Sequence, residues 1–493
     1  MNLLYRPQIR NSAIITLIFV LSFLLRFYRL GAHDFWFDEI ISVSYSAVPW
    51  HNWNAPLYWI LLHFWVKIFG ISEFSLRFPS MLYSFLTTVI VFLLGNELFD
   101  KKTAILATLI ICLSPFHLWY AQEARDYSMV LFFSVLSSYF FLLAIKENSL
   151  KGWILFAIAS LFGAYTNYFY IFLIIAQFLY ILYATRLRAG KAYLSFLFVA
   201  GAFSFYVPRF ISKFLFVSKG FWVTKPDWQS LNIVLQNYML GYNGTGFLYA
   251  VSSLLALTAF IILFFTAHKE KEMRRNISFC VFLLFIPIGL AFLFSKLFFS
   301  IYLNRGMLLF SPYFYLLISY AVMRLRKGVM VVGSCILILI LSCGAGLYFQ
   351  DYMYPPLEYH LGTYIKKPVR HILYFLNSHV KKGDLVGLTN ESVMPGIDFY
   401  AKGKFSLYYL FSPKILDSSW QRQVGETQYY VPMHKITGLE FKRIWVIFSD
   451  WERSGGLDEN STAVKQWLDI NLRSISNQVL DGLQVYCYER KNT

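Results

Sequence analysis

Apolar runs about twenty residues long recur from residue 12 to residue 349, and no other feature of the sequence limits the fold as strongly. A helix of that length spans roughly 30 Å, the hydrocarbon thickness of a bilayer, so the chain is expected to cross a membrane many times. Eleven segments are long enough or nearly so: 12–29, 76–96, 103–120, 128–145, 152–166, 168–185, 193–216, 246–267, 277–297, 306–323 and 329–349. Leu57–Phe69 is apolar but short and holds His63 and Lys67, which suits a helix lying in the interface. Stretches interrupted by Pro and Gly leave room for one or two more crossings, giving about 11–13 transmembrane helices. The first segment is too long for a signal-peptide core and lacks a small-residue cleavage site, so it is expected to be an uncleaved span.

Composition agrees with this reading. Only 14% of the residues are charged, against roughly 25% in soluble domains, which excludes an ordinary soluble enzyme, a disordered chain and a coiled coil. A net charge of +17 would suggest a nucleic-acid partner in a soluble protein. Here sixteen Lys and Arg residues fall in alternate short loops, beginning with Arg6 and Arg10 and ending with Arg324, Arg326 and Lys327. That asymmetry places the N-terminus inside and the C-terminal region outside, and it accounts for most of the charge with no nucleic acid. The five cysteines show no metal-binding spacing; four lie in apolar runs and read as packing residues.

Two domains are expected: a membrane domain over 1–349, with outward loops 30–75 and 120–127, and an extracytoplasmic α/β domain over 350–493. In the latter, 366–380 reads as an amphipathic helix, and strands are expected at 385–389, 405–410, 443–449 and 483–488, with a helix near 463–470. No phosphate-binding loop or nucleophile elbow occurs in it, so a structural or acceptor-guiding role is the default.

Candidate chemistry lies in the outer loops. Phe35-Trp36-Phe37-Asp38-Glu39 follows the first span, and adjacent carboxylates at a membrane surface suit base catalysis or metal coordination. A solvated loop pair flanked by interfacial aromatics is the plainer alternative. The second cluster runs from Ser114-Pro115-Phe116-His117 to Gln122-Glu123-Ala124-Arg125-Asp126-Tyr127. If helical, it would put Glu123 and Asp126 on one face, suited to a cation or a phosphate; a self-compensating polar turn is the alternative. His51, Arg77 and Arg305 are further outer-face candidates. Singly, such arginines snorkel to headgroups, yet an anion site would also require them. His117 and His63 read as packed side chains.

These motifs resemble the GT-C superfamily of integral-membrane glycosyltransferases, in the branch of protein O-mannosyltransferase-like, aminoarabinose-transferase-like and Rgt-like enzymes. The likeness rests on Trp36-Phe37-Asp38-Glu39, Ala55-Pro56-Leu57-Tyr58-Trp59, Glu73-Phe74-Ser75-Leu76-Arg77-Phe78-Pro79, Ser114-Pro115-Phe116-His117 and Gln122–Tyr127, in order over residues 12–215. It is weaker at Tyr165-Thr166-Asn167-Tyr168, where members often have His in place of Asn167, and at Phe221-Trp222 and Asn304-Arg305.

The resemblance implies transfer of a sugar from a polyprenyl-phosphate donor to a lipid, glycan or protein acceptor, on the outer face of a bacterial inner membrane. It makes Asp38 the catalytic base or metal-associated carboxylate, with Glu39 completing the pair. It also assigns Glu123, Arg125 and Asp126 to the donor phosphate or a metal, while His51, Arg77 and Arg305 are kept as further candidates for donor phosphate or substrate. Asp38 and the second cluster are expected to face one outward cavity. Members differ in metal dependence, so a divalent ion at Asp38, Glu123 or Asp126 is left open. The absence of an obvious nucleophile suits an inverting displacement. A flippase or transporter of a lipid-linked sugar is the alternative, although no internal repeat supports it. A scaffold with decayed loops is disfavoured by the intact carboxylates.

Overall fold

The computed structural model describes residues 6–51, 54–185, 190–220, 223–269, 271–354, 366, 368–389, 393–413, 430–449, 457–480 and 483–491. The chain divides into two compact units, one of residues 1–30 with 45–363 and the other of residues 31–44 with 364–493.

The first unit is helical. All eleven expected segments form helices, and among the described residues six are long and apolar enough to cross a membrane alone: Glu73–Leu98, Tyr127–Glu147, Gly246–His268, Met273–Leu297, Asn304–Met323 and Lys327–Phe349. Two segments expected to be continuous are bent pairs, Lys101–Leu113 with Pro115–Ala121 at 58° and Gly190–Ser204 with Val207–Ser218 at 70°. Proline explains both breaks. Pro115 and Pro208 stand in the first turn of the second helix of each pair, where a missing N–H costs nothing but continuation of the preceding helix is blocked. Ser12–Phe27, Leu150–Ala164 and Tyr170–Ala184 are shorter apolar helices, and Leu57–Phe69 is helical as its composition suggested. One helix was not foreseen, Trp228–Leu240, opened by a reciprocal cap between Asp227 and Ser230. It closes at Gly241 with φ +58°, where a Cβ would come within 2.8 Å of the Phe116 backbone nitrogen. Only glycine allows that approach.

The second unit holds a six-stranded sheet in the order β3-β2-β1-β4-β6-β5. The strands are β1 (Leu385–Leu388), β2 (Leu407–Phe411), β3 (Tyr430–Pro432), β4 (Arg443–Ser449), β5 (Leu472–Leu480) and β6 (Leu483–Arg490). β1 to β4 run parallel, while β6 pairs antiparallel with β4 and β5 with β6. Period-two alternation sorts β4 between two cores: Trp445 and Ile447 pack with the helices Val369–His379 and Met394–Ala401, and Ile444, Val446 and Phe448 with the helix Glu459–Asn471. A strand covered on both faces has to be apolar throughout, as Ile-Trp-Val-Ile-Phe is. The expected α/β character is thus present. β3, β5 and the helix Met394–Ala401 were not anticipated.

Candidate active site

Asp38 and Glu39 sit in the first turn of a helix, Phe37–Ala47, and not in a loop as the sequence suggested. The reason is local. Trp36 opens the helix, with its carbonyl accepting from the Glu39 and Ile40 amides at 3.0 and 3.1 Å. The Glu39 carboxylate reaches back to accept from the Trp36 amide at 3.4 Å. This is the glutamate half of a capping box, and both carboxylates also favour the positive end of the helix. Glu39 is fully buried and lies 3.6 Å from the Lys366 ammonium. Asp38, one residue earlier, is 9% exposed and its carbonyl accepts from the Ser42 hydroxyl at 3.1 Å.

The second cluster lies in the membrane unit. Residues 122–126 form a turn between the helices Pro115–Ala121 and Tyr127–Glu147, so the helical register that would align Glu123 with Asp126 is not adopted. The turn is pinned at several atoms. The Gln122 amide donates to the carbonyls of Arg26 (3.0 Å) and Tyr28 (2.6 Å) and accepts from the Tyr348 hydroxyl at 2.7 Å. The Arg125 amide donates to the Glu123 carbonyl at 2.8 Å, and the Arg125 carbonyl accepts from Ser80 at 3.0 Å. Asp126 accepts from the Asn167 side-chain amide at 2.8 Å.

Cations converge on this turn. The guanidinium groups of Arg125 and Arg305 each lie 5.9 Å from the Tyr127 ring, and Arg125 also stands 5.4 Å over Trp59. Burial pushes the Asp126 carboxyl above its ordinary range, opposed by Arg125, the Asn167 amide and Arg305. Arg305 enters from the short helix Asn304–Phe310 and is buried. Arg77 and Glu123 are buried too, and both act electrostatically on Tyr348; Arg77 donates to the Leu30 carbonyl at 3.1 Å. Lys213, which the sequence reading passed over, lies within electrostatic reach of Arg125. It belongs to the bent pair, whose second helix the sequence does not separate from the first. The side chain of His51 and residues 221–222 lie outside the described residues.

The bend at Ser114 gives the turn its foundation. Pro115 has no N–H to offer the Ile111 carbonyl, and the buried Arg26 guanidinium takes that place, donating to Ile111 at 2.9 Å and Cys112 at 3.4 Å. The same guanidinium donates to Ser84 and Ser22, both at 2.8 Å. One arginine thereby joins the helices Arg6–Phe27, Glu73–Leu98 and Lys101–Leu113.

Residues 54–210 match the family model of dolichyl-phosphate-mannose-protein mannosyltransferase. Among solved structures, ArnT from Cupriavidus metallidurans superposes in its apo state with a TM-score of 0.64 at 13% identity, covering 97% of this chain and 98% of that one. This is the GT-C fold. ArnT bound to undecaprenyl phosphate superposes at 0.59, with 12% identity over 97% and 98% of the two chains. The Archaeoglobus fulgidus oligosaccharyltransferase, in complex with Zn and sulfate, gives 0.51 at 12% identity, over 96% of this chain and 72% of that one. No curated protein matches the sequence. The matched family model is that of a mannosyltransferase, and the Archaeoglobus fulgidus neighbour is an oligosaccharyltransferase. Among the described residues no group of three or more His, Cys, Asp or Glu side chains is placed to hold a metal ion, and Glu39 meets Lys366 instead.

Proposed function

We propose that this GT-C chain transfers a sugar from a polyprenyl-phosphate donor to a hydroxyl of a lipid, glycan or protein acceptor, on the outer face of a bacterial inner membrane. The observation that carries this reading is the pair of guanidinium groups, Arg125 and Arg305, held against Tyr127 beside the buried Asp126. Arginine presents paired donors matched to phosphate oxygens, and Arg125, partly buried, and Arg305, buried, bring two such forks to one ring. The likeness to a structure that holds undecaprenyl phosphate supports the choice of anion.

In this reading Asp38 removes the acceptor hydroxyl proton as the oxygen attacks the anomeric carbon. The bond from that carbon to the phosphate oxygen breaks with inversion, and its electron pair leaves with the lipid phosphate. Arg125 and Arg305 stabilise the developing negative charge. Asp126, fixed by Asn167, orients the two arginines. Glu39 caps its helix and positions Asp38.

The test uses purified full-length protein in a lipid nanodisc with polyprenyl-phosphate sugars, reading released polyprenyl phosphate and glycosylated acceptor by mass spectrometry. Candidate acceptors come from comparing outer-face glycoconjugates with and without the gene. Transport of the lipid-linked sugar across a liposome membrane, with no transfer to any acceptor, would replace this reading with a flippase.

A further inference from the structure

The segment that carries Asp38 packs as part of the C-terminal domain: residues 31–44 form one compact unit with residues 364–493. Asp34 accepts from the Arg370 backbone amide at 2.8 Å and from the Arg370 guanidinium in an ion pair. The Phe35 amide donates to the Tyr400 hydroxyl at 2.8 Å, and the Phe35 ring meets Phe399 edge-on at 5.7 Å. Arg370 also stands 5.4 Å over the Tyr400 ring, which ties the two anchors to each other. On the far side of Asp38, Glu39 pairs with Lys366. A Cβ added to Gly396 would lie 3.7 Å from the Ile40 side chain and 3.8 Å from the Phe35 carbonyl, so the helix Met394–Ala401 backs the segment closely.

We propose that the C-terminal domain is the platform that positions the Asp38 carboxylate, with Arg370, Tyr400 and Lys366 as positioning residues. The proposal rests on the base role given to Asp38 above. The first turn of a helix frays unless its ends are tied, and Asp38 is the second residue of an eleven-residue helix. Residues 34, 35 and 39 each have a fixed point on the domain, which restrains the backbone between them. A base has to lie within hydrogen-bond reach of its proton, and displacement by about 1 Å can lower a rate by about 10²-fold. The anchors act through the backbone of residues 34–40.

The experiment uses the full chain in nanodiscs with a polyprenyl-phosphate sugar. Arg370→Ala is expected to lower kcat by about 10- to 100-fold while the donor KM stays within about twofold. Asp34→Asn should do the same, the double variant should be no worse than Arg370→Ala alone, and Arg370→Lys should recover part of the rate. Hydrogen exchange should quicken in peptides covering residues 33–44 and not in the helix Tyr127–Glu147. Unchanged kcat, additive losses, a parallel rise in KM or unchanged exchange would each overturn the proposal. Should Arg370→Ala fail to fold, Tyr400→Phe removes one hydroxyl and is judged by the same criteria with a smaller effect. If the wild type transfers no sugar, the glycosyltransferase reading falls, and the exchange data alone decide whether the domain holds residues 33–44.

Discussion

Asp38 and Glu39 are adjacent in sequence and differ in their surroundings, which separates their effects. Asp38→Asn keeps size and hydrogen bonding but removes the proposed base, so transfer should fall by roughly 10²–10⁴-fold with little change in thermal stability. Glu39→Gln loses the charge of a buried contact to Lys366 and keeps an oxygen that accepts from the Trp36 amide. It should cost about 2 kcal/mol in denaturant or thermal unfolding. Arg305→Ala should weaken donor binding by about tenfold, read as a raised donor KM, because one phosphate partner is lost. Equal activity of Asp38→Asn and wild type would send the search for a base to Glu123 and Asp126. The carboxylate pair was legible in the sequence as chemistry. Which of the two points inward was not, because Lys366 is more than three hundred residues away.

At the scale of elements, breaks and caps decide the site. Arg26→Leu would leave the Ile111 and Cys112 carbonyls without their donor beside Pro115. A lost buried hydrogen bond costs about 1–3 kcal/mol. The variant should therefore melt earlier and also bind donor less well, since the turn at 122–126 hangs from the Arg26 and Tyr28 carbonyls. A normal melting temperature and donor KM would remove Arg26 from this role. In the C-terminal domain, burial works against the charge of Asp384, but Arg443 at 2.5 Å, the Lys381 amide and the Trp445 indole outweigh it and hold the carboxyl below its ordinary 3.8. A depressed folded value means stability that is present above the unfolded value and is lost as pH falls through the folded one. Asp384→Asn should thus be about 2 kcal/mol less stable than wild type near pH 7, with the gap closing as pH falls below about 4. Unfolding midpoints across that range check it. Gly387 gives a further handle: a Cβ there would sit 2.6 Å from the end of the Leu410 side chain, so a larger residue requires Leu410 to move.

For the whole molecule, topology follows from charge. Reporter fusions near residues 188, 272 and 400 should read inside, inside and outside, given the sixteen basic residues in alternate loops. An inside signal at 400 would contradict both the orientation and the outer-face reaction. The four predicted strands, the amphipathic helix and the helix near 463–470 were visible in the C-terminal sequence because each carries its own periodicity. The exposed edge strand β5 was not, since a strand with almost no buried face has no alternation to detect.

Sequence alone determined that the chain is a many-helix membrane protein with a polar α/β domain, and it picked out the two polar clusters. Those features are local: hydropathy over twenty residues, charge bias between spans, and short motifs of adjacent carboxylates and arginines. The tertiary structure decided that two spans bend at proline and that Arg26 completes one of the breaks. It also decided that Arg125 and Arg305, 180 positions apart, share one tyrosine ring, and that the Asp38 segment is held by Arg370 and Tyr400. Each of these is a contact between residues far apart in the chain. Its energy depends on distance in space, which no single-sequence pattern records.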